Sequence, residues 1–298
     1  VLFRNFLDKF YYSKEDLGVV YLNNAISFKL WAPTSYKVEL LLYKEWYINQ
    51  EESSIKYPMV YDYKTGVYTT VINKDDANGM YYLYKLYFKD VDISGELCDK
   101  ITYAVDPYAT SVCVNGDKGY VLDINDKNTK PYGFTNHNIP ELKRKDDSII
   151  YEMHIRDFTI DESSGVNNSL RGTYLGAVQE NTVYKEVYSG KTVKTGLDHL
   201  VELGITHVHL MPVFDFGSVD ERFPGSNNRN WGYDPKNFNV PEGSYSTNPY
   251  NPITRIVELR EMIMKFHEKG IRVVMDMVYN HMMETMNMDN IVPGYYFR

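Results

Sequence analysis

The sequence predicts two domains, a β-sandwich followed by a parallel sheet covered by helices, the second being either doubly wound or a β/α barrel. Three observations lead to this prediction. Residues before position 125 alternate short β-branched and aromatic runs with turn clusters. Residues from 148 onward repeat a strand, an amphipathic helix and a glycine in a fixed order. Residues 126–147 are polar and interrupted by prolines, which is typical of a connector between domains.

The predicted sandwich covers residues 16–125 and follows an amino-terminal lead of residues 1–15. Its strands are expected in "AISFKLWAP", "KVELLLY", "GVYTTVI" and "MYYLYKLYF", where β-branched and aromatic side chains predominate. Turn clusters such as "NKDDANG" separate these segments at the spacing of a sandwich, and they show no helical period. We therefore expect no helix longer than two turns in this domain.

The predicted α/β portion, residues 148–298, begins with the compact apolar strand "SIIYEMHI". In "TGLDHLVELG", Leu197, Leu200 and Val201 share a helical face, and Gly204 is placed to end the helix in a left-handed cap. The strand "ITHVHLMPV" follows, and the helix "NPITRIVELREMIMKFHEKG", which Gly270 ends, leads to the strand "IRVVMDMVYNH". The apolar face of this second helix is predicted to carry Ile256, Leu259, Ile263 and Phe266. Continuous apolar strands preceded by such helices indicate a parallel sheet.

Composition and charge exclude several classes of protein. With 40 acidic and 32 basic residues the net charge is −8, and no dense Lys/Arg stripe suggests nucleic acid or an anionic membrane as a partner. No apolar run is long enough to span a membrane. The start lacks the apolar core of a signal peptide, so a cytoplasmic protein is expected, although the missing initiator Met leaves a trimmed start and secretion open. Cys98 and Cys113 are interpreted as core residues.

The loop after the second α/β strand, from about Asp215 to Asn251, holds the most unusual residues. It contains "RNWGYDPKNFNVPEGSYS", which is rich in aromatic rings, glycine and proline, and the third strand ends in Asp276, Asn280 and His281. Functional residues of parallel α/β folds collect at the carboxyl ends of the strands, so these aromatics are expected to line a groove. Sugar sites need such amphipathic rings, and the chain has 28 Tyr. No glycine-rich phosphate loop follows a strand, which disfavours nucleotide binding.

These motifs resemble those of the type I pullulanases, debranching members of the α-amylase superfamily. The resemblance rests on "NWGYDPKNFNVPEGSYS", "MDMVYNH" and "VPGYYFR", and it extends to "IYEMHIRDF", "GLDHLVELGITHVHLMPVFDF" and the amino-terminal "FKLWAP". It covers nearly the whole chain. The family usually has Tyr before "NWGYDP", whereas this chain has Arg229.

The resemblance implies a sandwich of the glycogen- or starch-binding-module type followed by the first part, about three βα units, of a (β/α)₈ barrel. It implies an enzyme that cleaves α-1,6 branch links in pullulan, amylopectin or related α-glucans with retention of configuration. That chemistry needs two carboxyl groups about 5 Å apart. In the family they follow the fourth and fifth strands, with a third carboxylate after the seventh. No catalytic residue is therefore assigned in this chain, and the rest of the barrel, as a cut or separate chain, is an expected partner beside the α-glucan.

The family's substrate-positioning residues do have matches here. Tyr233 resembles the tyrosine that stacks under the sugar at the cleaved bond, and His281 resembles the histidine that hydrogen-bonds the hydroxymethyl arm of that sugar. Asp276 and Asn280 resemble residues that brace the site. Asp234 is a loop carboxylate that either binds sugar hydroxyls or caps a turn, and Asp215 has the same two interpretations.

No cofactor is predicted, and calcium is possible but not indicated. His207 and His209 alternate along one strand as a metal pair would, but no third ligand is evident and a structural role is favoured. Two other functions compete with the enzyme. The chain could be a non-catalytic α-glucan-binding protein or subunit, or a scaffolding subunit whose barrel portion docks a partner.

Overall fold

The computed structural model describes residues 7–91, 93–223 and 229–297. The chain forms two compact units. One contains residues up to Ile124 together with those from Glu284 onward, and the other is Asn125–Met283. Among the described residues, no helix combines the length and the apolar character needed to cross a membrane.

The first unit is a β-sandwich of two antiparallel sheets. Its strands are β1 (Gly18–Tyr21), β2 (Ala25–Trp31), β3 (Lys37–Tyr43), β4 (Ile55–Pro58), β5 (Val60–Asp62), β6 (Val67–Asn73), β7 (Tyr81–Val91), β8 (Leu97–Ala104) and β9 (Gly119–Tyr120). One sheet has the order β1-β2-β6-β5, and the other has the order β4-β3-β7-β8 with β9 also paired to β7. The helix α1 (Lys74–Ala77) is a single turn, so the expectation of short helices holds for the sandwich residues described.

The main core of this unit lies between the two sheets. Alternate residues of β2, β3 and β7 point inward, which is the period that the sequence shows. The buried side chains from these strands include Ile26, Phe28, Leu30, Val38, Leu40, Leu42, Tyr82, Tyr84 and Leu86. A smaller cluster of Leu41, Tyr43, Tyr81 and Cys113 covers the other face of the second sheet. Cys113 is a buried free thiol, as a core role requires, whereas Cys98 is partly exposed in β8.

A buried carboxyl group lies in the sandwich core. Asp106 is 1% exposed and accepts hydrogen bonds from the hydroxyls of Tyr82 (2.9 Å) and Tyr84 (3.2 Å) and from the backbone N–H of Tyr108 (2.8 Å). Burial raises the pKa of Asp106 to about 6 from 3.8, although these three hydrogen bonds act in the opposite direction. The folded protein therefore holds this proton over a pH range in which the unfolded chain releases it.

We expect the free energy of unfolding of Asp106→Asn, relative to that of the unsubstituted chain, to rise by about 2 to 3 kcal/mol as the pH is raised from 4 to 7. The contribution of the native carboxyl is fully present below the unfolded pKa and is lost as the pH rises through about 6, whereas asparagine does not titrate. Urea unfolding of the sandwich at several pH values measures the difference. The control is Asp75→Asn, which replaces an exposed aspartate of the same unit. A pH-independent difference for Asp106→Asn would contradict the raised pKa.

The second unit is built on a three-stranded parallel sheet. Its strands are β10 (Ile150–Met153), β11 (Val183–Lys185), β12 (Thr192–Lys194), β13 (His207–Leu210), β14 (Phe214–Phe216), β15 (Pro235–Pro241) and β16 (Arg272–Met275), and its helices are α2 (Ile155–Thr159), α3 (Tyr174–Ala177), α4 (Gly196–Leu203) and α5 (Thr254–Glu268). The parallel sheet has the order β10-β13-β16, while β11/β12 and β14/β15 form antiparallel pairs. The predicted parallel sheet with about three strands is confirmed.

The buried faces of α4 and α5 agree with the predicted ones except at Val201. In α4, Leu197 and Leu200 are buried, and Gly204 ends the helix in the left-handed region with φ +76°, as predicted. Val201 is exposed, because it lies about 100° around the axis from Leu200 at the edge of the buried face. In α5, the predicted residues Ile256, Leu259 and Phe266 are buried and Ile263 is partly buried.

Short 3₁₀ turns complete the secondary structure. They are Asp8–Phe10, Glu51–Ser53, Val114–Gly116, Lys127–Thr129, Phe134–Asn136, Lys145–Asp147 and Glu162–Ser164. The segment predicted as a connector, residues 126–147, contains three of them and contacts α5. Arg260 donates to the carbonyl (2.8 Å) and hydroxyl (2.6 Å) of Thr129, and the rings of His137 and His267 are hydrogen-bonded at 2.9 Å.

The segment from Glu284 belongs to the sandwich unit, whereas the sequence division assigned all residues to 298 to the barrel portion. It contains the helix α6 (Met286–Asp289), and Ile291 and Val292 are fully buried in the sandwich core. The amide of Asn287 bonds both backbone groups of Val105, at 2.8 and 3.1 Å. Apolar burial together with hydrogen bonds to the backbone after β8 explains why this segment packs here.

Candidate functional site

Tyr233 lies in the loop between β14 and β15, and Asp234 organises that loop. The Asp234 carboxylate accepts from the backbone N–H of Ser218 (2.8 Å), from the Ser218 hydroxyl and from the side-chain amide of Asn230 (2.7 Å). Its carbonyl accepts from the N–H of Gly217 at 3.1 Å. These contacts give Asp234 a loop-closing role, and binding of a sugar hydroxyl by the same carboxylate stays a prediction.

Gly232 sets the direction in which Tyr233 leaves the loop. Its φ is +87°, and a Cβ at this position would come within 2.9 Å of Pro212 Cβ and 3.0 Å of the Pro212 carbonyl oxygen. Both the backbone conformation and the close approach require glycine. The "WGY" sequence therefore fixes the tyrosine relative to the segment that follows β13.

The structure brings Tyr233, Asp276 and His281 together. The Tyr233 hydroxyl donates to the Asp276 carboxylate at 2.8 Å, and Asp276 directly follows the end of β16. His281 Nε2 lies 2.5 Å from the carbonyl oxygen of Tyr233, an acceptor, so Nε2 carries the proton in this contact. Three residues predicted from two separate motifs thus form one hydrogen-bonded group at the carboxyl end of a parallel strand.

The tyrosine ring is available at the surface while its hydroxyl is held. Tyr233 is 37% exposed. Partial burial, together with the hydrogen bond to Asp276 and the negative charge of that carboxylate, raises the pKa of Tyr233 to about 12. The phenol is therefore neutral at physiological pH, and its ring can serve as a stacking face. Asn280, which was predicted to brace the site, immediately precedes His281 in the sequence and is exposed.

Arg229 and His154 make contacts that anchor the part of the β14–β15 loop preceding Tyr233. Arg229 Nε donates to Asp157 at 2.7 Å, and its guanidinium lies 5.7 Å from the centre of the Trp231 ring. His154 is buried, with Nε2 2.7 Å from the Asn230 carbonyl oxygen and Nδ1 accepting from the N–H of Asp157. Burial lowers the pKa of His154, which keeps it neutral in this network. Arg229, which stands where the family usually has Tyr, thus forms an ion pair with Asp157.

A cluster of buried charged side chains packs against the β14/β15 pair. Arg255, fully buried in the first turn of α5, donates to Asp215 (3.1 Å) and through two nitrogens to Glu221 (3.0 and 2.6 Å). Glu242 accepts from the N–H of Phe216 at 3.0 Å. Burial and the neighbouring carboxylates raise the pKa of Asp215 to about 7 and raise that of Glu242 well above its usual value. Asp215 is therefore a buried structural group, and its alternative as a sugar ligand is wrong.

Asp215, Glu221 and Glu242 are also the acids that come nearest to a metal site among the described residues. Their oxygens lie within 4.8 Å of one another, a grouping that a calcium ion could use. The Arg255 guanidinium already supplies the positive charge to two of them, and the raised pKa values show that protons reduce the remaining negative charge. The donor set does not fit calcium while Arg255 occupies it.

The two strand histidines have separate partners. His207 Nδ1 lies 2.7 Å from the Thr206 hydroxyl, and His209 Nδ1 lies 3.6 Å from Glu152 across the β10/β13 pair. These contacts agree with the structural interpretation of both rings.

The sequence did not lead us to predict Arg255 as the centre of the buried ionic cluster. One signal was available, because Arg255 precedes Leu259 by four residues and so lies on the apolar face of α5. A charged residue on such a face predicts a buried partner. The acids that supply it, Asp215 in β14 and Glu221 in the loop after it, follow no sequence period.

Comparison with known proteins finds a matching family model for each of the two units. Residues 16–109 match the family model for carbohydrate-binding module 48 (isoamylase N-terminal domain), and residues 188–290 match that for the α-amylase catalytic domain. The pullulanase of Bacillus subtilis (strain 168) is 38% identical over 298 residues, which cover 98% of this chain and 37% of that protein. Over 98% of its length the chain is thus similar to part of a pullulanase.

Two further pullulanases show the same similarity. Chloroplastic pullulanase 1 of Arabidopsis thaliana is 30% identical over 332 residues, covering 98% of this chain and 32% of that protein. The crystal structure of a Paenibacillus barengoltzii pullulanase in complex with maltohexaose and α-cyclodextrin has a TM-score of 0.87 at 39% identity, covering 99% of this chain and 43% of that one. The chain thus spans well under half the length of these pullulanases. The predicted fold is confirmed as a carbohydrate-binding-module sandwich followed by the start of an α-amylase-type catalytic domain.

Proposed function

We propose that the chain is the substrate-positioning part of a pullulanase-type glycoside hydrolase that cleaves α-1,6 links in pullulan, amylopectin or related α-glucans with retention. The observation that supports this most strongly is the grouping of Tyr233, Asp276 and His281 in a chain that is similar to part of a pullulanase. The remaining strands of the barrel, in the same polypeptide or as a separate chain, would supply the catalytic carboxyl groups.

Each residue of the group has a task in this proposal. The exposed ring of Tyr233 stacks against the sugar at the cleaved bond, because aromatic rings bind the apolar face of a pyranose while their edges stay polar. His281 Nε2 donates to the Tyr233 carbonyl, so Nδ1 is the ring nitrogen left for a hydrogen bond with a sugar hydroxyl. Asp276 holds the tyrosine ring through its hydroxyl. Positioning of this kind lowers the barrier only when a nucleophile and an acid/base are present.

A chimaera tests the proposal. The matching segment of the Bacillus subtilis pullulanase is replaced by this chain, and reducing-sugar release from pullulan is measured. We expect hydrolysis, and we expect Tyr233→Ala to cost about 1 to 3 kcal/mol in kcat/KM by analogy with the loss of a stacking ring. Tyr233→Phe keeps the ring and loses only the bond to Asp276, so its loss should be smaller.

The matched control is Tyr188→Ala, an almost fully exposed tyrosine at the turn between β11 and β12. It should leave kcat/KM unchanged. A chimaera that unfolds cooperatively and binds pullulan but releases no sugar would favour the non-catalytic α-glucan-binding function. If Tyr233→Ala and the parent chimaera had equal kcat/KM, the Tyr233 ring would have no role in substrate binding.

A further inference from the structure

A small pocket in the second unit has a polar lining that carries positive charge. It lies between α2, the loop of residues 165–173 that leads to α3, and the loop after β15, and its volume is about 160 Å³. Its polar side chains include Arg156, Asn168, Ser169, Arg171, Thr173 and Ser244. No aspartate or glutamate is among the described residues that line it. Sites for drug-sized molecules begin at about 300 Å³, so this pocket suits a smaller, negatively charged ligand.

Arg171 is held in the pocket wall by its own loop. Its Nε donates to the Val166 carbonyl at 3.1 Å, and its Nη1 donates to the side-chain oxygen of Asn168 at 3.4 Å. Among the described hydrogen bonds, these two use Nε and Nη1, so Nη2 is the nitrogen left for a ligand. The ion-pair partner Glu162 lies 3.6 Å away with a side chain that is 91% exposed, so solvent screens its charge.

Arg156 is fixed on α2 beside Asp157. Its Nη1 donates to the Asp157 carboxylate at 3.1 Å, and its side chain is 19% exposed. The same carboxylate accepts from Arg229 Nε at 2.7 Å. One carboxylate thus serves two guanidinium groups, so an additional anion beside Arg156 is electrostatically favoured.

The loop that carries Arg171 is fastened to the helix that carries Arg156. The N–H of Gly172 donates to the Thr159 hydroxyl at 2.8 Å. Gly172 has φ +76°, and a Cβ at this position would lie 3.3 Å from Arg156 Cγ and 3.2 Å from Ile160 Cδ1. Glycine therefore permits both the backbone conformation and the close approach to α2. The two arginines keep fixed relative positions before any ligand binds, which reduces the entropy cost of binding.

The chemistry of the lining selects the ligand. Arginine presents planar N–H donors that match the oxygens of a phosphate group, and serine and threonine hydroxyls add further donors. We propose that this pocket binds a phosphate group, either as the free ion or as the end group of a phosphate monoester. Arg156 and Arg171 bind its oxygens, and the Ser244 hydroxyl donates a further hydrogen bond. This site does not depend on the proposed hydrolysis of α-glucans.

The test measures binding of inorganic phosphate to the 298-residue chain by isothermal titration calorimetry, at pH 7.5 and at an ionic strength held constant with chloride. We expect saturable binding of one phosphate per chain, and we expect Arg171→Gln to weaken it roughly tenfold because a charge-assisted hydrogen bond is lost. Arg171→Lys keeps the charge but loses the planar donors, so its loss should be smaller. Ser244→Ala leaves both arginines in place and should also weaken binding, which provides a second variant if Arg171→Gln does not fold.

The matched control is Arg144→Gln, which removes the same charge from an exposed arginine of the same unit outside the pocket. It should bind phosphate like the parent chain. Urea unfolding verifies that each variant is folded. Equal affinities of folded Arg171→Gln and Arg144→Gln would overturn the site, and so would the absence of saturable phosphate binding to the parent chain.

Glucose 6-phosphate and glucose identify the source of the phosphate group. Tighter binding of glucose 6-phosphate than of inorganic phosphate would support a monoester as the ligand, and the reverse order would support the free ion. Equal binding of glucose and glucose 6-phosphate would overturn the proposal, because the pocket would then recognise hydroxyl groups rather than negative charge.

Discussion

Arg255→Met is expected to lower the free energy of unfolding of the second unit by about 3 to 5 kcal/mol at pH 8. The substitution removes a fully buried guanidinium and leaves Asp215 and Glu221 without their cation. Methionine fills much of the same volume, so the loss reports charge rather than a cavity. Urea unfolding followed by near-ultraviolet circular dichroism measures it.

The loss should shrink as the pH falls. Removing Arg255 raises the pKa values of the remaining carboxyls further, and a carboxyl whose folded pKa is raised stabilises the fold below its unfolded pKa and loses that contribution as the pH rises. Asp215, with a pKa of about 7 even beside Arg255, titrates within the accessible range. At pH 5 the variant is therefore expected to lie closer to the unsubstituted chain than at pH 8.

A neutral replacement of the whole cluster separates charge from packing. The triple variant Arg255→Met/Asp215→Asn/Glu221→Gln should recover most of the stability lost by Arg255→Met alone, because it leaves fewer uncompensated charges. Arg222→Met, at a more exposed arginine, serves as the control. A triple variant no more stable than the single one would show that the geometry of the arginine, rather than its charge, holds the cluster.

The periodic part of the fold could be predicted from the sequence. The alternation in "AISFKLW" and "KVELLLY" places Ile26, Phe28, Leu40 and Leu42 in the sandwich core, because a strand has a period of two. In α5, the spacing of Ile256, Leu259 and Phe266 gives the buried face. Such patterns report local geometry, which needs no knowledge of distant partners.

The remainder depends on contacts between distant segments. Nothing local in "MNMDNIVPGYYFR" shows that Ile291 and Val292 enter the sandwich core, because a short apolar pair fits either unit. The grouping of Tyr233, Asp276 and His281 was accessible only through the order of parallel strands and the family resemblance. The bonds that Asp234 makes to Ser218 and Asn230 were not accessible, since they depend on how the loop closes.

Among the residues that the structure describes, no further strand pairs with either edge of the parallel sheet of the second unit. In the three-stranded sheet, β10 and β16 are the outer strands, and Ile150, Val274 and Met275 on them are exposed. Exposed apolar strand edges promote association, and barrel closure removes them. Additional barrel strands would cover these side chains.

The 298-residue chain alone is expected to release no measurable sugar from pullulan. Retaining hydrolysis needs a nucleophile and an acid/base about 5 Å apart, and the family places them after the fourth and fifth strands, whereas the described sheet has three. Among the carboxylates described here, Asp276 is bonded to Tyr233, and Asp215 is buried beside Arg255. Neither is free to attack an anomeric carbon.

Activity should appear when further barrel strands are supplied in trans. The chain is co-expressed with the portion of the Bacillus subtilis pullulanase that follows the matched segment, and reducing-sugar release is compared with that of each piece alone. Closing the sheet buries the exposed residues of β10 and β16, so light scattering should show a monodisperse complex in the same samples that hydrolyse pullulan. A monodisperse complex without hydrolysis would separate assembly from catalysis and favour the non-catalytic function. Robust hydrolysis by the isolated chain would mean that the carboxylates act from within it, and Asp234 and Asp276 would then be the first pair to replace by Asn, because both lie in the loops that carry Tyr233 and His281.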